Sequence, residues 1–212
     1  PALSIVDNIW GYIAIITFSN VLWILGVNGT SIILPIVFAL GIQNTGINAD
    51  LVANGQDPSV VMNLQMFRLA ILGGAGNTLG LTLLMMKSKS THLKSLGRLG
   101  VVPGICGINE PIIFGGPIVF NPILAIPFIV TPIVTVGLRY LAQVMGLITP
   151  GYLVDPSFIP FFAQAYFSSM DWRNVLFVFG LVILSVIIYY PFFKVYEKNM
   201  LEQEYPDDNS VA

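Results

Sequence analysis

The chain has 212 residues, 55% of them hydrophobic and only 9% charged, with a formal net charge of −2. Soluble domains carry roughly 25% charged residues, so this composition excludes an ordinary water-soluble fold and calls for a hydrocarbon solvent. The near-neutral balance also excludes nucleic acid as a partner, because no cluster of cations could neutralise a row of phosphates.

Residues 9–25 form the first expected span, with Trp10, Tyr12 and Trp23 near its ends, a depth that aromatic residues favour. Residues 32–40 are too short to span alone and carry Pro35, so a re-entrant or broken helix is expected there. Residues 41–58 hold Asn44, Asn48, Asp50, Asn54 and Asp57 without Lys or Arg, which predicts a loop outside the cell. The second span is expected over 63–86, where Gly73-Gly74-Ala75-Gly76 would let helices approach closely in lipid. Residues 87–98 carry Lys87, Lys89, His92, Lys94 and Arg98 and are read as a cytoplasmic loop. Residues 101–116 are apolar but punctuated by Pro103, Gly104, Gly107, Pro111, Gly115 and Gly116. A continuous helix is not expected there, and broken backbone at membrane depth requires protein or a water-filled cavity around it. The third span covers 123–148 and is bent at Pro127 and Pro132. An outer loop and hairpin follow over 149–169, and the last span covers 172–193. Lys194 and Lys198 place the C-terminal end in the cytoplasm, and residues 201–212 are expected to form a polar, disordered tail. About four full spans with two or three interrupted segments define an all-α, multi-pass integral membrane protein with re-entrant or broken helical hairpins. Interrupted helices are where transporters place their substrates.

Glu110 is the leading candidate for chemistry. A carboxylate at the bilayer centre costs about 2.5–3.5 kcal/mol on insertion scales and by default marks a site. Asn109 and the neighbouring glycines would complete that site, with Glu110 as a general base or an acceptor for a hydroxyl proton. The alternative is a carboxylate that only caps the next helix. Asn28 lies at the break between two apolar pieces, where a cavity-lining hydrogen-bonder and a helix cap are equally good readings; its place in a glycosylation sequon is set aside because its surroundings are apolar. Arg68 and Arg139 sit in apolar runs, so each is expected to snorkel or to pair with a carboxylate. One cysteine, Cys106, and one histidine, His92, leave no disulfide framework, and no metal or cofactor is expected. Cys106 is read as a small apolar filler and His92 as solvated. Gly73-Gly74-Ala75-Gly76-Asn77-Thr78-Leu79-Gly80 lacks the G-x-G-x-x-G spacing, and a nucleotide site is rejected. The start, Pro1-Ala2-Leu3-Ser4, has no basic segment of a signal peptide. The chain is expected to begin inside a longer protein.

The stretch Gly104-Ile105-Cys106-Gly107-Ile108-Asn109-Glu110-Pro111-Ile112-Ile113-Phe114-Gly115 strongly resembles the membrane (IIC) component of bacterial phosphotransferase-system sugar permeases of the lactose/cellobiose type. The likeness extends upstream through Gly73–Leu81 and Leu99–Gly104, and downstream through Val119–Phe128 and Ile188–Lys194. It implies a bacterial cell-membrane permease of about twice this length that forms homodimers through its first half. Residues 1–200 would be the transport half. The resemblance implies that Glu110 binds a sugar hydroxyl near the one that receives phosphate, with Asn28, Gly29, Gly76, Asn77 and Asn109 on the substrate. A separate, phosphorylated IIB protein would supply the phosphoryl group from a cysteine, so Cys106 is not implied to be the donor. Two stretches depart from the family pattern. Asn28-Gly29 stands where a histidine and glycine are usual, and Asp155-Pro156-Ser157-Phe158-Ile159-Pro160 stands where a Trp-Thr-Thr-Pro-Pro block is frequent.

The expected function is therefore to bind a sugar, a β-disaccharide such as cellobiose, and to present it to phosphorylated IIB. Two other classes remain open at this stage. An ion-coupled transporter would use Glu110 as its proton site, and a membrane sugar sensor would bind without uptake.

Overall fold

The computed structural model describes residues 7–116, 118–156 and 158–205. Ser157 and the part of the expected tail from 206 onward lie outside them. The described residues form α1 (Ile9–Ile24), α2 (Gly29–Ala53), α3 (Leu64–Leu69), a 3-10 turn (Ala75–Asn77), α4 (Leu79–Met86), α5 (Thr91–Ile105), α6 (Glu110–Gly115), α7 (Pro122–Val144), α8 (Phe161–Phe167) and α9 (Trp172–Glu204). The fold is all-α. Among the described residues α2, α7 and α9 are long and apolar enough to cross a membrane, whereas α1 has 16 residues and falls short.

Four segments differ from the sequence reading. The break expected at Pro35 is absent, and α2 runs through Pro35 for 25 residues. The polar stretch after Gly41 stays helical to Ala53 because its amides are structural pins. Asn44 donates to the Met62 carbonyl at 2.8 Å, and Asn48 donates to the carbonyls of Val60 at 2.8 Å and Gly151 at 2.9 Å. Residues 63–86 are not one span. Gly73, Gly74 and Gly76 take φ values of +76°, +86° and +72°, and Asn77 follows at +58°, so the chain leaves the right-handed helical region between α3 and α4. Only the first residues of 87–98 are a turn: the Ser90 hydroxyl accepts from the Leu93 N–H at 3.1 Å and caps α5, which starts at Thr91. The interruption expected in 101–116 is present. Helix α5 ends at Ile105, Gly107 turns at φ +85°, and the short α6 begins at Glu110.

Helix α1 packs on α2 and α7, α4 on α5 and α9, and α9 also on α7 and α8. Lipid gives helices no hydrophobic reason to associate, so close approach and polar contacts must hold them. Gly80 of α4 supplies one such approach: a Cβ there would lie 2.5 Å from Ser185 Oγ and 2.6 Å from the Val186 backbone nitrogen of α9. Both arginines are resolved as well. Arg68 pairs with Asp155 at 2.9 Å, as expected of a cation in an apolar run. Arg139 neither snorkels nor meets a carboxylate among the described residues. It is fully buried, and its Nη2 donates to Asn174 Oδ1 at 3.0 Å, joining α7 to α9.

The polar contacts sort into two ends. Asn48 ties the Val60 and Gly151 regions together at one end. At the other, Glu197 Oε1 of α9 accepts from Ser88 Oγ at 2.6 Å and from the Lys89 N–H at 2.9 Å. Two turns further, Glu204 accepts from Ser90 Oγ at 2.6 Å and from the backbone N–H groups of Thr91 and His92. Residues 201–204, assigned to the tail in the sequence reading, thus belong to α9.

Gly76 is at once left-handed and closed in: a Cβ on it would run into the Phe128 ring. Gly76→Ala should therefore destabilise the protein by about 1–3 kcal/mol, the usual cost of overpacking a filled site. Thermal unfolding in detergent measures this, and an unchanged Tm would mean that the kink relaxes freely.

Candidate functional site

The kink between α3 and α4 frees backbone carbonyls inside the protein, and five of them are met by side-chain donors. The Tyr189 hydroxyl donates to the Gly76 carbonyl at 2.6 Å, and the Ser185 hydroxyl donates to the Asn77 carbonyl at 2.7 Å. The Thr78 hydroxyl turns back to the Gly73 carbonyl at 2.8 Å, and the Thr135 hydroxyl reaches the Ala70 carbonyl at 2.8 Å. Asn109 completes the set. Its Nδ2 donates to the Ala75 carbonyl at 2.7 Å and to Thr78 Oγ1 at 2.8 Å. The short α6 that Asn109 precedes is thereby fastened to the kink, and Glu110 is delivered at its first position.

Glu110 opens onto a cavity of about 410 Å³ between α1, α2, α3, the kink and the α5–α6 turn. That volume lies in the range of small-molecule sites. The Glu110 side chain is exposed and makes no hydrogen bond or ion pair to the described residues. Trp23 forms the wall nearby: its Nε1 donates to Thr30 Oγ1 at 2.9 Å, and its ring lies 5.7 Å from that of Phe114 on α6. Arg68 lines the cavity too, 5.8 Å over the Phe38 ring. Its Nη1 donates to Asp155 Oδ2 at 2.9 Å and to the Asp155 carbonyl at 3.0 Å. Burial pushes the Asp155 carboxyl above the ordinary range, opposed by the guanidinium beside it.

The structure brings Asn28, Asn109 and Glu110 to this cavity together, and sets the other three expected residues apart from its wall. Asn28 is the N-cap of α2, where its Oδ1 accepts from the Ser31 N–H at 2.9 Å, so the capping reading holds while the residue also borders the cavity. Gly29 sits where α2 crosses the backbone of Ser19. Gly76 faces Phe128, and Asn77 is buried with its Nδ2 on Thr135 Oγ1 and the Ala70 carbonyl. Both belong to the kink. Cys106, read as a filler, lies on the cavity border instead. The sequence reading missed Asn20, Phe38 and Gln164 among the lining residues. Asn20 and Gln164 each carried a signal, as a lone amide within an apolar run.

Three helices of membrane-crossing length, with broken helices around a largely apolar cavity that the Glu110 carboxylate borders, define an all-α integral membrane protein. More particularly, the chain belongs to the phosphotransferase-system EIIC family, whose profile matches residues 2–132. It is 32% identical over 224 residues to the PTS system lactose-specific EIICB component of Streptococcus mutans, covering 96% of this chain and 36% of that protein. It is 34% identical over 187 residues to the lichenan permease IIC component of Bacillus subtilis, covering 86% of this chain and 41% of that one. Among solved structures it resembles the transporter ChbC, the IIC component from the N,N′-diacetylchitobiose-specific phosphotransferase system. The TM-score is 0.89 at 34% identity, over 93% of this chain and 47% of that one. The chain thus spans between about a third and a half of the length of these relatives.

The bracing role of Asn109 has a direct consequence. Asn109→Asp keeps the size and one acceptor but loses both donors, so it should destabilise the fold by about 1–3 kcal/mol, the cost of leaving a buried group unmade. Thermal unfolding reads the effect, and a variant as stable as the parent would show that the kink holds without Asn109.

Proposed function

We propose that the chain is the transport half of a sugar permease, which binds a β-disaccharide such as cellobiose and presents it for phosphorylation. The observation that carries this reading is the Glu110 carboxylate, which borders the cavity with no partner among the described residues. The names of the relatives specify lactose, lichenan and N,N′-diacetylchitobiose, all sugars with β-linkages, and this supports the substrate class.

In this mechanism a sugar hydroxyl attacks the phosphorus of a phosphocysteine on a separate IIB protein. The new O–P bond forms as the S–P bond breaks, the thiolate leaves, and Glu110 accepts the hydroxyl proton. The contribution of this chain is positioning and charge stabilisation, as expected where the phosphoryl donor comes from outside. Asn28 keeps its cap through Oδ1 and offers its amide N–H groups to the sugar, while Asn109 offers Oδ1. The missing length of the relatives would supply the homodimer interface.

Glu110→Gln keeps shape and one acceptor but removes the base. Phosphorylation with IIB should fall by roughly 10²–10⁴-fold, with a smaller loss of sugar binding. A folded Glu110→Gln protein that is phosphorylated by IIB at the parent rate would take Glu110 out of the chemistry. An uptake assay without IIB, driven by an ion gradient, would instead support coupled transport.

The same reading places the 87–90 turn and the end of α9 in the cytoplasm and the 54–63 connection outside. The concentration of cations near Lys89, with none over 41–58, supports this. On a Cys106→Ser background, an impermeant thiol reagent added outside should label Asn54→Cys and spare Lys89→Cys. The reverse pattern would invert the orientation.

A further inference from the structure

Along α7 the polar residues Thr131, Thr135, Arg139 and Gln143 recur at every fourth position, so they share one face of the helix, and all of them are buried. Among the described residues five buried side-chain atoms have no hydrogen-bond partner: Thr131 Oγ1, Arg139 Nε, Arg139 Nη1, Gln143 Oε1 and Asn77 Oδ1. Four of the five belong to that face, and the fifth is on the residue whose Nδ2 bonds Thr135. The demand is greatest at Arg139. Its guanidinium is 0% exposed, carries its charge at neutral pH, and donates to the neutral Asn174 Oδ1. Asp171, three residues before Asn174, is engaged by Arg173 and Thr149. Folds avoid a buried charge that has no counter-charge, because its lost hydration is not made good. We propose that Arg139 is the core of a binding site for a small monovalent anion of halide size, set between α7 and α9 and outside the wall of the Glu110 cavity.

The free N–H groups on Arg139 Nε and Nη1 are donors only, and Gln143 supplies a third. It stands one turn along the same face, at the i,i+4 spacing that brings side chains together. Its amide belongs to a relay. Gln143 Nε2 donates to Gln65 Oε1 at 2.9 Å, Gln65 Nε2 donates to Ser168 Oγ at 2.7 Å, and the Ser168 hydroxyl donates to the Gln164 carbonyl at 2.6 Å. This relay reverses as a unit. With the Ser168 hydroxyl turned to Gln65, both amides exchange ends, Gln65 donates to Gln143, and Gln143 Nε2 takes the place of the unpartnered Oε1. The Gln164 carbonyl still keeps the Ser168 N–H at 3.0 Å. A water would meet the N–H groups and leave the charge uncompensated, whereas an anion meets both needs. One guanidinium calls for one negative charge, and burial on all sides favours a compact ion over a hydrated oxyanion. The bound ion would tie α7 to α9 through Asn174 and, through the relay, to Gln65 of α3.

The test uses the full-length protein, purified in detergent and exchanged into sodium gluconate. Replacing gluconate by chloride or bromide at constant ionic strength should raise Tm saturably, by about 2–4 °C. Arg139→Met should lose this response. Gln143→Met should raise the half-saturating halide concentration by about fivefold, the worth of one hydrogen bond. Crystals grown in bromide should show an anomalous peak within hydrogen-bonding reach of Arg139 Nε and Nη1, and this readout needs no variant if Arg139→Met does not fold. A Tm that ignores halide overturns the site and leaves the guanidinium to water or to Gln143 Oε1. So does a bromide-grown crystal without a peak at Arg139, or a halide response undiminished in Arg139→Met, which would place the ion elsewhere.

Discussion

A polypeptide that stops being a helix inside a bilayer must find partners for every carbonyl it releases, because lipid offers none. Between α3 and α4 that demand is met from several elements: Tyr189 and Ser185 from α9, Thr135 from α7, Asn109 from the turn before α6, and Thr78 from the kink itself. An unmet carbonyl would cost roughly 1–3 kcal/mol, so the set constrains three separate helices to one arrangement. The placement of Glu110 follows from it. The carboxylate stands beside the residue that pins the kink, and the cavity is the space left where α1 and α2 lean against that pinned loop.

This arrangement also divides labour between adjacent residues. Asn109 and Glu110 are neighbours in sequence and both border the cavity, yet the first is 4% exposed with its Nδ2 on the kink while the second is exposed. A short helix beginning between them is enough to separate an amide that braces the kink from a carboxylate left open at the cavity. The same division appears at Arg68 and Asp155, where the buried partner anchors and the more open one faces the cavity.

Much of this was legible before any coordinates. The clustered prolines and glycines of 101–116 forecast the interruption, and the cation at Arg68 left two outcomes open, snorkelling or a carboxylate partner, of which the structure shows the second. The identity of that partner was not legible, because Asp155 is 87 residues away and no local pattern connects the two. The reading of 41–53 failed for a definable reason. A polar composition without cations is equally compatible with a loop and with a helix whose amides face protein, and here Asn44, Thr45 and Asn48 lie on one helical face and donate to backbone carbonyls. In 63–86 the glycines were read as helix-packing residues. An apolar composition is equally compatible with a straight helix and with one that turns left-handed, so only the dihedral angles separate them.

Helix α9 grips the molecule at two levels. Ser185 and Tyr189 hold the kink, while Glu197 and Glu204, on later turns of the same rod, hold the 88–92 turn. Eight residues separate Tyr189 from Glu197, a span of about 12 Å. Pro191 lies between them inside the same helix, so one element fastens both the polar turn and the kink. The turn and the kink beside the cavity therefore share one support, more than a hundred residues away from each of them in sequence.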